Sequence, residues 1–449
     1  MKGAPQAPSQ VICVVRAVAE RLRMPDDVDR LTQQSRAQVP AHIRFPHWHP
    51  AQLLLGHTGI AMLYTRLALD DIDWAIAAHA HLATALRSAT VDTVGDLLHA
   101  AYLHSQIHGG YTKFLNDAAP AHVSAVRDLL NRISQRLRTD GPGLAYAEYD
   151  VISGLARGGR GLIIGASLGH AASSSTLQDV LGLMVRMARP ILVHGEQVPG
   201  WWTDPQLNAA PEADRAAYPH GEFNLGIAHG ICGPMSLMAL AHRAGHRTPG
   251  MLDAIRTMAN WVMRKRIVGE QGTFWPGRVA FEDETGKVGS TAPSVTPRSD
   301  WCYGTAGVAR ALYLAGRALK DPMLTQVSVD AMRSIFQRPY GSADIPDATI
   351  CHGRAGVLLA AVRMASDTGH PALWEGADQM ALQLARSFDP TTAFGYRYLL
   401  SQNVNGPAVD EPGVLQGAAG VALTLLSYTD ARSGAPPIPA TWDGALLMG

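Results

Sequence analysis

The sequence predicts an all-α protein, an α/α toroid of about seven inner and seven outer helices. Two kinds of helical segment alternate along the chain, one kind opens on glycine, and runs with strand character are scarce. The amphipathic kind carries charge at helical spacing in 10–23, 73–87, 122–138, 177–193, 251–267, 323–337 and 372–388. Charge confined to one face marks a helix that meets water. The other kind starts at Gly56, Gly154, Gly230, Gly304, Gly353 and Gly417 and continues through small or apolar residues. A degenerate member covers 94–108 and retains only Gly95. Small residues let helix starts crowd together, which suits an inner ring of helices enclosed by the amphipathic ones. Only short pieces such as 279–281 have strand character.

Composition narrows the class. The chain has 449 residues, 47% hydrophobic and 17% charged, with Lys+Arg and Asp+Glu both at 38. A zero net charge gives no basic excess for nucleic acid or an anionic membrane. The apolar run at 11–15 is too short for a secretory signal, and no span of about 18 apolar residues suggests a membrane helix. Cys13, Cys232, Cys302 and Cys351 are too few for a disulfide framework in a chain this long. They fit a reducing compartment with metal-binding or catalytic thiols, so the expected location is cytoplasmic. One domain over 1–449 is expected, interrupted by long loops near 198–224 and 269–299. Both loops carry tryptophan and proline and precede chemically loaded helix starts, which suits substrate contact.

The chemistry gathers at those starts. Residues 298–307 read RSDWCYGTAG and 351–356 read CHGRAG. Cys302 lies two residues before Gly304 just as Cys351 lies two before Gly353. The two thiols therefore hold equivalent positions in two copies of one repeat, with His352 beside the second. Two thiolates and an imidazole form a soft three-ligand set that suits one zinc ion per chain and leaves a fourth position open. His229 precedes Gly230 as His352 precedes Gly353, and Asp150 lies four residues before Gly154. In a toroid of parallel inner helices all of these reach one rim.

Other readings stay open for each. A lone cysteine is usually a small buried hydrophobe, and a lone histidine a satisfied structural one. Asp150 has the position of a helix cap. Arg298 could pair with Asp300 or Glu284, and Trp301 and Tyr303 could be packing aromatics. Cys13 and Cys232 lack ligand-like neighbours in sequence and read as structural.

The segments WCYGTAG, CHGRAG, FNLGIAHGICGP, YDVISGLA, LQGAAGV and WPGRV occur in one order between about Gly56 and Leu426. Together they resemble the lanthionine synthetase C-like family, in particular its free-standing bacterial lanthipeptide (lantibiotic) cyclases. One departure is Gly154-Leu-Ala-Arg157, with arginine at the usual second glycine. Tyr303 stands where fused and eukaryotic relatives tend to have histidine. The resemblance implies an α/α toroid with zinc on Cys302, Cys351 and His352. It places His229, Asp150, Arg298 and Tyr303 around the metal as acid–base or orienting residues, with Trp301 beside it.

The implied activity is addition of peptide cysteine thiols to dehydroalanine or dehydrobutyrine, forming (methyl)lanthionine thioether rings. The implied partners are a dehydrated precursor peptide with its leader segment, a lanthipeptide dehydratase and a membrane transporter complex, with no nucleic acid. Such a complex would hold the protein at the cytoplasmic membrane face. A zinc-containing toroid that binds peptides or thiols as a scaffold is the alternative.

Overall fold

The computed structural model describes residues 6–43, 45–139, 141–208, 212–338, 345, 347–401, 406–434 and 441–449. The part of the 198–224 loop at 209–211, including Pro211, lies outside the described residues. Among the described residues the alternation expected from sequence is present. Glycine-led or small-residue helices span His57–Leu67, Val94–His108, Leu155–Ser167, Cys232–Arg243, Thr305–Leu319, Arg354–Thr368 and Ala418–Ser433. Amphipathic helices span Gln6–Leu22, Trp74–Arg87, Thr112–Thr139, Ala171–Met187, Met251–Arg264, Pro322–Gln337 and Pro371–Arg386. The first kind is buried almost throughout, as in Thr305–Leu319, whose residues from Thr305 to Gly316 are all buried. The second kind buries one face: in Met251–Arg264 these are Met251, Ala254, Ile255, Met258, Ala259, Trp261 and Val262.

The chain forms two compact units, one of Met1–Ala118 with Arg338–Trp442 and one of Ala119–Gln337 with Asp443–Gly449. In the second unit the glycines of Leu155–Ser167 show why this helix tolerates a residue type that costs helix stability. A Cβ at Gly161 would lie 2.4 Å from His122 Nε2, and one at Gly165 would lie 2.3 Å from Ser173 Oγ. A Cβ at Gly159 would lie 2.3 Å from Leu237 Cδ2. Glycine therefore lets helices Thr112–Thr139, Ala171–Met187 and Cys232–Arg243 approach the same helix closely. Arg157 does not disturb the start of this helix: Gly154 is its N-cap, and the Arg157 N–H donates to Asp150 O at 3.2 Å.

In the first unit, Tyr64 is buried on the glycine-led helix His57–Leu67 and donates its phenol to Ala19 O at 2.6 Å. Arg66 ties the same helix to Asp430 of Ala418–Ser433.

Two expectations about boundaries are corrected. The helix expected over 177–193 ends at Met187, and Pro190–Val193 instead pairs antiparallel with Glu196–Pro199. Pro190 has no N–H to continue the helical ladder and disfavours helical geometry in the residue before it. The helix expected to open at Gly230 begins at Cys232, because Gly230 and Ile231 bond back to Gly226 and Asn224.

The short strand expected near 279–281 is Arg278–Ala280, paired antiparallel with Glu222–Asn224. The two long loops are thus joined by strand pairing. Trp201 packs edge-on against Trp261 at 5.2 Å, and Trp275 donates its indole N–H to Val262 O at 2.9 Å. The tryptophans of the loops are anchors in this unit's core. No described helix is long and apolar enough to cross a membrane.

Candidate functional site

Backbone hydrogen bonds link the turns ahead of the glycine-led helices. In the second unit the Val151 N–H donates to Ala228 O (3.1 Å), and the Ala228 N–H donates to Cys302 O (3.4 Å). In the first unit the Cys351 N–H donates to Leu415 O (2.9 Å), and the Leu415 N–H donates to Leu54 O (2.9 Å). Except at the Ala228 turn, the glycine just beyond each turn is the N-cap of the helix that follows.

Asp150 is buried and divides its oxygens between two tasks. Oδ1 accepts the N–H groups of Ile152 (3.1 Å), Ser153 (2.7 Å) and Gly154 (2.8 Å), which caps the helix start. Oδ2 lies 2.6 Å from His229 Nδ1. A carboxylate oxygen only accepts, so His229 carries its proton on Nδ1 and leaves Nε2 for chemistry. The helix-cap reading and the orienting reading of Asp150 are therefore compatible. The His229 side chain is 36% exposed, which lets a substrate reach it. The rings of Tyr146 and Tyr303 lie 6.3 and 6.2 Å from it.

Tyr303 is held by close backbone approach. A Cβ at Gly226 would lie 2.8 Å from Tyr303 Cδ1, and one at Gly277, within WPGRV, 3.3 Å from the same atom. Asn224 Nδ2 donates to Tyr303 Oη at 3.5 Å. Burial pushes the Tyr303 phenol well above its ordinary range, so it stays protonated at neutral pH and can donate a hydrogen bond.

Arg298 donates from Nε to Asp300 Oδ2 at 2.8 Å, and its guanidinium carbon stands 5.4 Å from the Tyr303 ring centroid. Burial works against its charge, but Asp300 and Cys302 outweigh burial and raise its pKa. Of the two carboxylates expected as partners, Asp300 is the one used; Glu284 pairs with Lys265 at 2.6 Å.

Asp300 was legible in the sequence only as a possible ion-pair partner. It lies four residues before Gly304, as Asp150 lies four before Gly154. Its Oδ1 accepts from Tyr303 N–H (2.9 Å), Gly304 N–H (3.2 Å) and the Cys302 thiol (3.3 Å). Glu222 also went unnoticed. Burial pushes its carboxyl up to about 7, opposed by Arg278, whose guanidinium is shared with Asp214.

On the Cys351 turn, Cys351 is buried and His352 half-buried, with Sγ and Nε2 3.5 Å apart. His352 stacks on Tyr398 at 6.4 Å between centroids, and Gln416 Nε2 donates to the Tyr398 hydroxyl at 3.1 Å. Buried Asp347 accepts the Leu399 N–H at 2.8 Å and so ties this turn to the 398–399 strand. Cys302 stands two residues before the N-cap Gly304 and Cys351 two before the N-cap Gly353, with His352 beside it; these are residues that could hold a metal ion. Two sulfurs and one imidazole nitrogen are the donor types that zinc takes. Neither remaining cysteine belongs to this group: Cys232 is buried, with its thiol pKa raised by that burial, and Cys13 is exposed.

Comparison with known proteins gives concordant results. Residues 47–446 match the family described as lanthionine synthetase C-like protein. The nisin biosynthesis protein NisC of Lactococcus lactis subsp. lactis is 28% identical over 152 residues, covering 34% of this chain. That match spans only about a third, 35%, of the curated relative's own length. The solved structure of nisin cyclase superposes with a TM-score of 0.73 at 16% identity, covering 94% of this chain and 95% of its own. This likeness establishes the fold as an α/α toroid.

Proposed function

The chain belongs to the lanthionine synthetase C-like family, and from that premise we propose that it is a zinc-dependent lanthipeptide cyclase. The observation that carries this reading is the shared position of Cys302 and Cys351, each two residues before a glycine N-cap, Gly304 and Gly353, with His352 beside the second, a set that could hold a metal ion. Zinc bound there would lower the pKa of an incoming peptide thiol, ordinarily about 8.5, and present it as a nucleophilic thiolate.

The reaction is intramolecular. The peptide sulfur bonds to the β-carbon of dehydroalanine or dehydrobutyrine, the C=C π pair moves toward the adjacent carbonyl, and the α-carbon gains a proton. The thiol loses a proton and the α-carbon takes one up, so peptide mass is unchanged. His229 is the proton donor, acting from the ring nitrogen that Asp150 does not hold. Arg298, permanently cationic, stabilises negative charge developing on the substrate carbonyl oxygen, and the protonated Tyr303 phenol adds a hydrogen bond. Asp150 orients His229 and balances its charge when the ring is protonated.

The substrate is a precursor peptide that a separate dehydratase has already dehydrated, and its leader segment docks it. Assembly with that dehydratase and a membrane transporter would bring the protein to the cytoplasmic membrane face. The test is incubation of the zinc-loaded protein with a dehydrated peptide, followed by alkylation and mass spectrometry. Ring closure consumes free thiols without changing peptide mass. A scaffold would leave the thiols reactive, and an alkyl transfer would add mass; either result would overturn the reading.

A further inference from the structure

We infer that Asp300 is a positioning residue for the reaction, acting on Arg298 as Asp150 acts on His229. The inference rests on the ring-closure reading and adds to it a residue with no assigned role. The two aspartates sit at the same offset, four residues before the glycine that starts an inner helix. Both are about 1% exposed. Each spends Oδ1 on backbone N–H groups of its own turn: Asp150 on Ile152, Ser153 and Gly154, Asp300 on Tyr303 and Gly304. Each then turns Oδ2 to a functional side chain from the same rim. For Asp150 this is His229 Nδ1 at 2.6 Å, and for Asp300 it is Arg298 Nε at 2.8 Å.

The chemistry explains the division of labour. One oxygen fixes the carboxylate rigidly in the turn, so the second becomes a stationary anchor. A flexible arginine gains most from such an anchor, because it loses the rotamer freedom that otherwise opposes a defined pose. Using Nε for the anchor leaves both terminal NH2 groups of Arg298 available to an oxygen of the substrate. Stacking over Tyr303 at 5.4 Å holds the plane of the guanidinium from the other direction. A half-buried guanidinium without its carboxylate would carry an uncompensated charge, so the pair also helps Arg298 to sit there.

Asp300→Asn separates the two tasks. The amide oxygen still accepts from Tyr303 and Gly304, while the amide nitrogen cannot accept from Arg298. Measurements on this variant and on its companions decide the matter. Zinc content of Asp300→Asn should match the parent protein within error, while its unfolding midpoint should fall, because Arg298 loses its counter-charge. Ring closure should show kcat reduced about tenfold or more with KM changed less than twofold. The double variant Asp300→Asn/Arg298→Ala should be no slower than Arg298→Ala alone, because both act through one guanidinium. The Arg298 Nε–H resonance should be shifted and slow to exchange in the parent, and should move toward solvent values in Asp300→Asn whatever the protein's activity. Asp300→Glu, which keeps the charge, should recover part of the rate.

Loss of zinc together with activity would mean that Asp300 only holds the Cys302 turn, and would overturn the inference. Additive losses in the double variant, or an unchanged Arg298 resonance, would overturn it as well. If the parent protein closes no rings, the functional reading fails, while the resonance still decides whether Asp300 anchors Arg298.

Discussion

Asp150→Asn is the most informative single change to the acid–base pair. The Asp150 carboxylate makes four contacts: three N–H groups on Oδ1 and His229 Nδ1 on Oδ2 at 2.6 Å. Asparagine keeps an oxygen for the three backbone donors, so the helix start at Gly154 and the neighbouring turns should survive. The amide NH2 then faces His229 and donates where the carboxylate accepted. His229 is forced to accept on Nδ1 and to carry its proton on Nε2 as the neutral tautomer, and its protonated form loses its counter-charge. A hydrogen bond to a charged group contributes about 1.5–3 kcal/mol, so the rate of ring closure should fall about 10- to 100-fold. Burial of Asp150 at 1% places the loss toward the upper end, since water cannot replace the carboxylate. The assay is thiol consumption by a dehydrated peptide under saturating substrate, with zinc content and unfolding midpoint measured on the same preparation. Unchanged kcat with intact zinc would refute the proton-delivery role of the pair. A drop in stability matching the drop in rate would reduce Asp150 to a helix cap.

Further predictions test packing and electrostatics away from the metal ligands. Gly161→Ala should destabilise the protein by about 1–3 kcal/mol in urea unfolding, although alanine favours a helix, because its Cβ would lie 2.4 Å from His122 Nε2 and break that ring's bond to Gly158 O. Stabilisation would show that the glycines are not there for close helix approach. Glu222, with its carboxyl pushed up to about 7 by burial, binds a proton in the folded state that the unfolded chain releases near 4.5. Stability should therefore fall as pH rises from about 5 to 8, and Glu222→Gln should flatten that slope, read as unfolding free energy against pH. A parent slope of opposite sign in the same window would show that Arg278 keeps Glu222 ionised.

Much of the fold could be read because its signal is local. The glycine-led starts mark helices at Gly56, Gly154, Gly304, Gly353 and Gly417, each an observed N-cap, and the degenerate segment at 94–108 is a helix with those same ends. Small residues must stand where helix ends meet, so a packing requirement is written directly in the sequence. The helix start at Cys232 departs from the glycine register because its preceding turn closes on Asn224, a hydrogen bond with no periodicity to reveal it.

Pairing of 222–224 with 278–280 joins segments far apart in the chain, and short strands of three residues leave too little alternation to detect. The two loops thus read as open segments, although their tryptophans are buried. At the site, register was enough to bring out both cysteines, His352, His229 and Asp150. It also contained Asp300, at the offset of Asp150, but an aspartate beside an arginine reads first as a surface ion pair. The approach of Tyr146 to His229 depends on a turn whose course no spacing rule predicts.

The central claim is that Cys302, Cys351 and His352 together hold the metal that activates substrate thiols. Metal analysis of the purified parent protein, Cys302→Ala and Cys351→Ala, run beside Cys232→Ala as a buried-cysteine control, tests it most directly. One zinc per chain is expected in the parent and in Cys232→Ala, with near-complete loss in both ligand variants and with ring closure lost in parallel. Full zinc occupancy in Cys302→Ala and Cys351→Ala would contradict it.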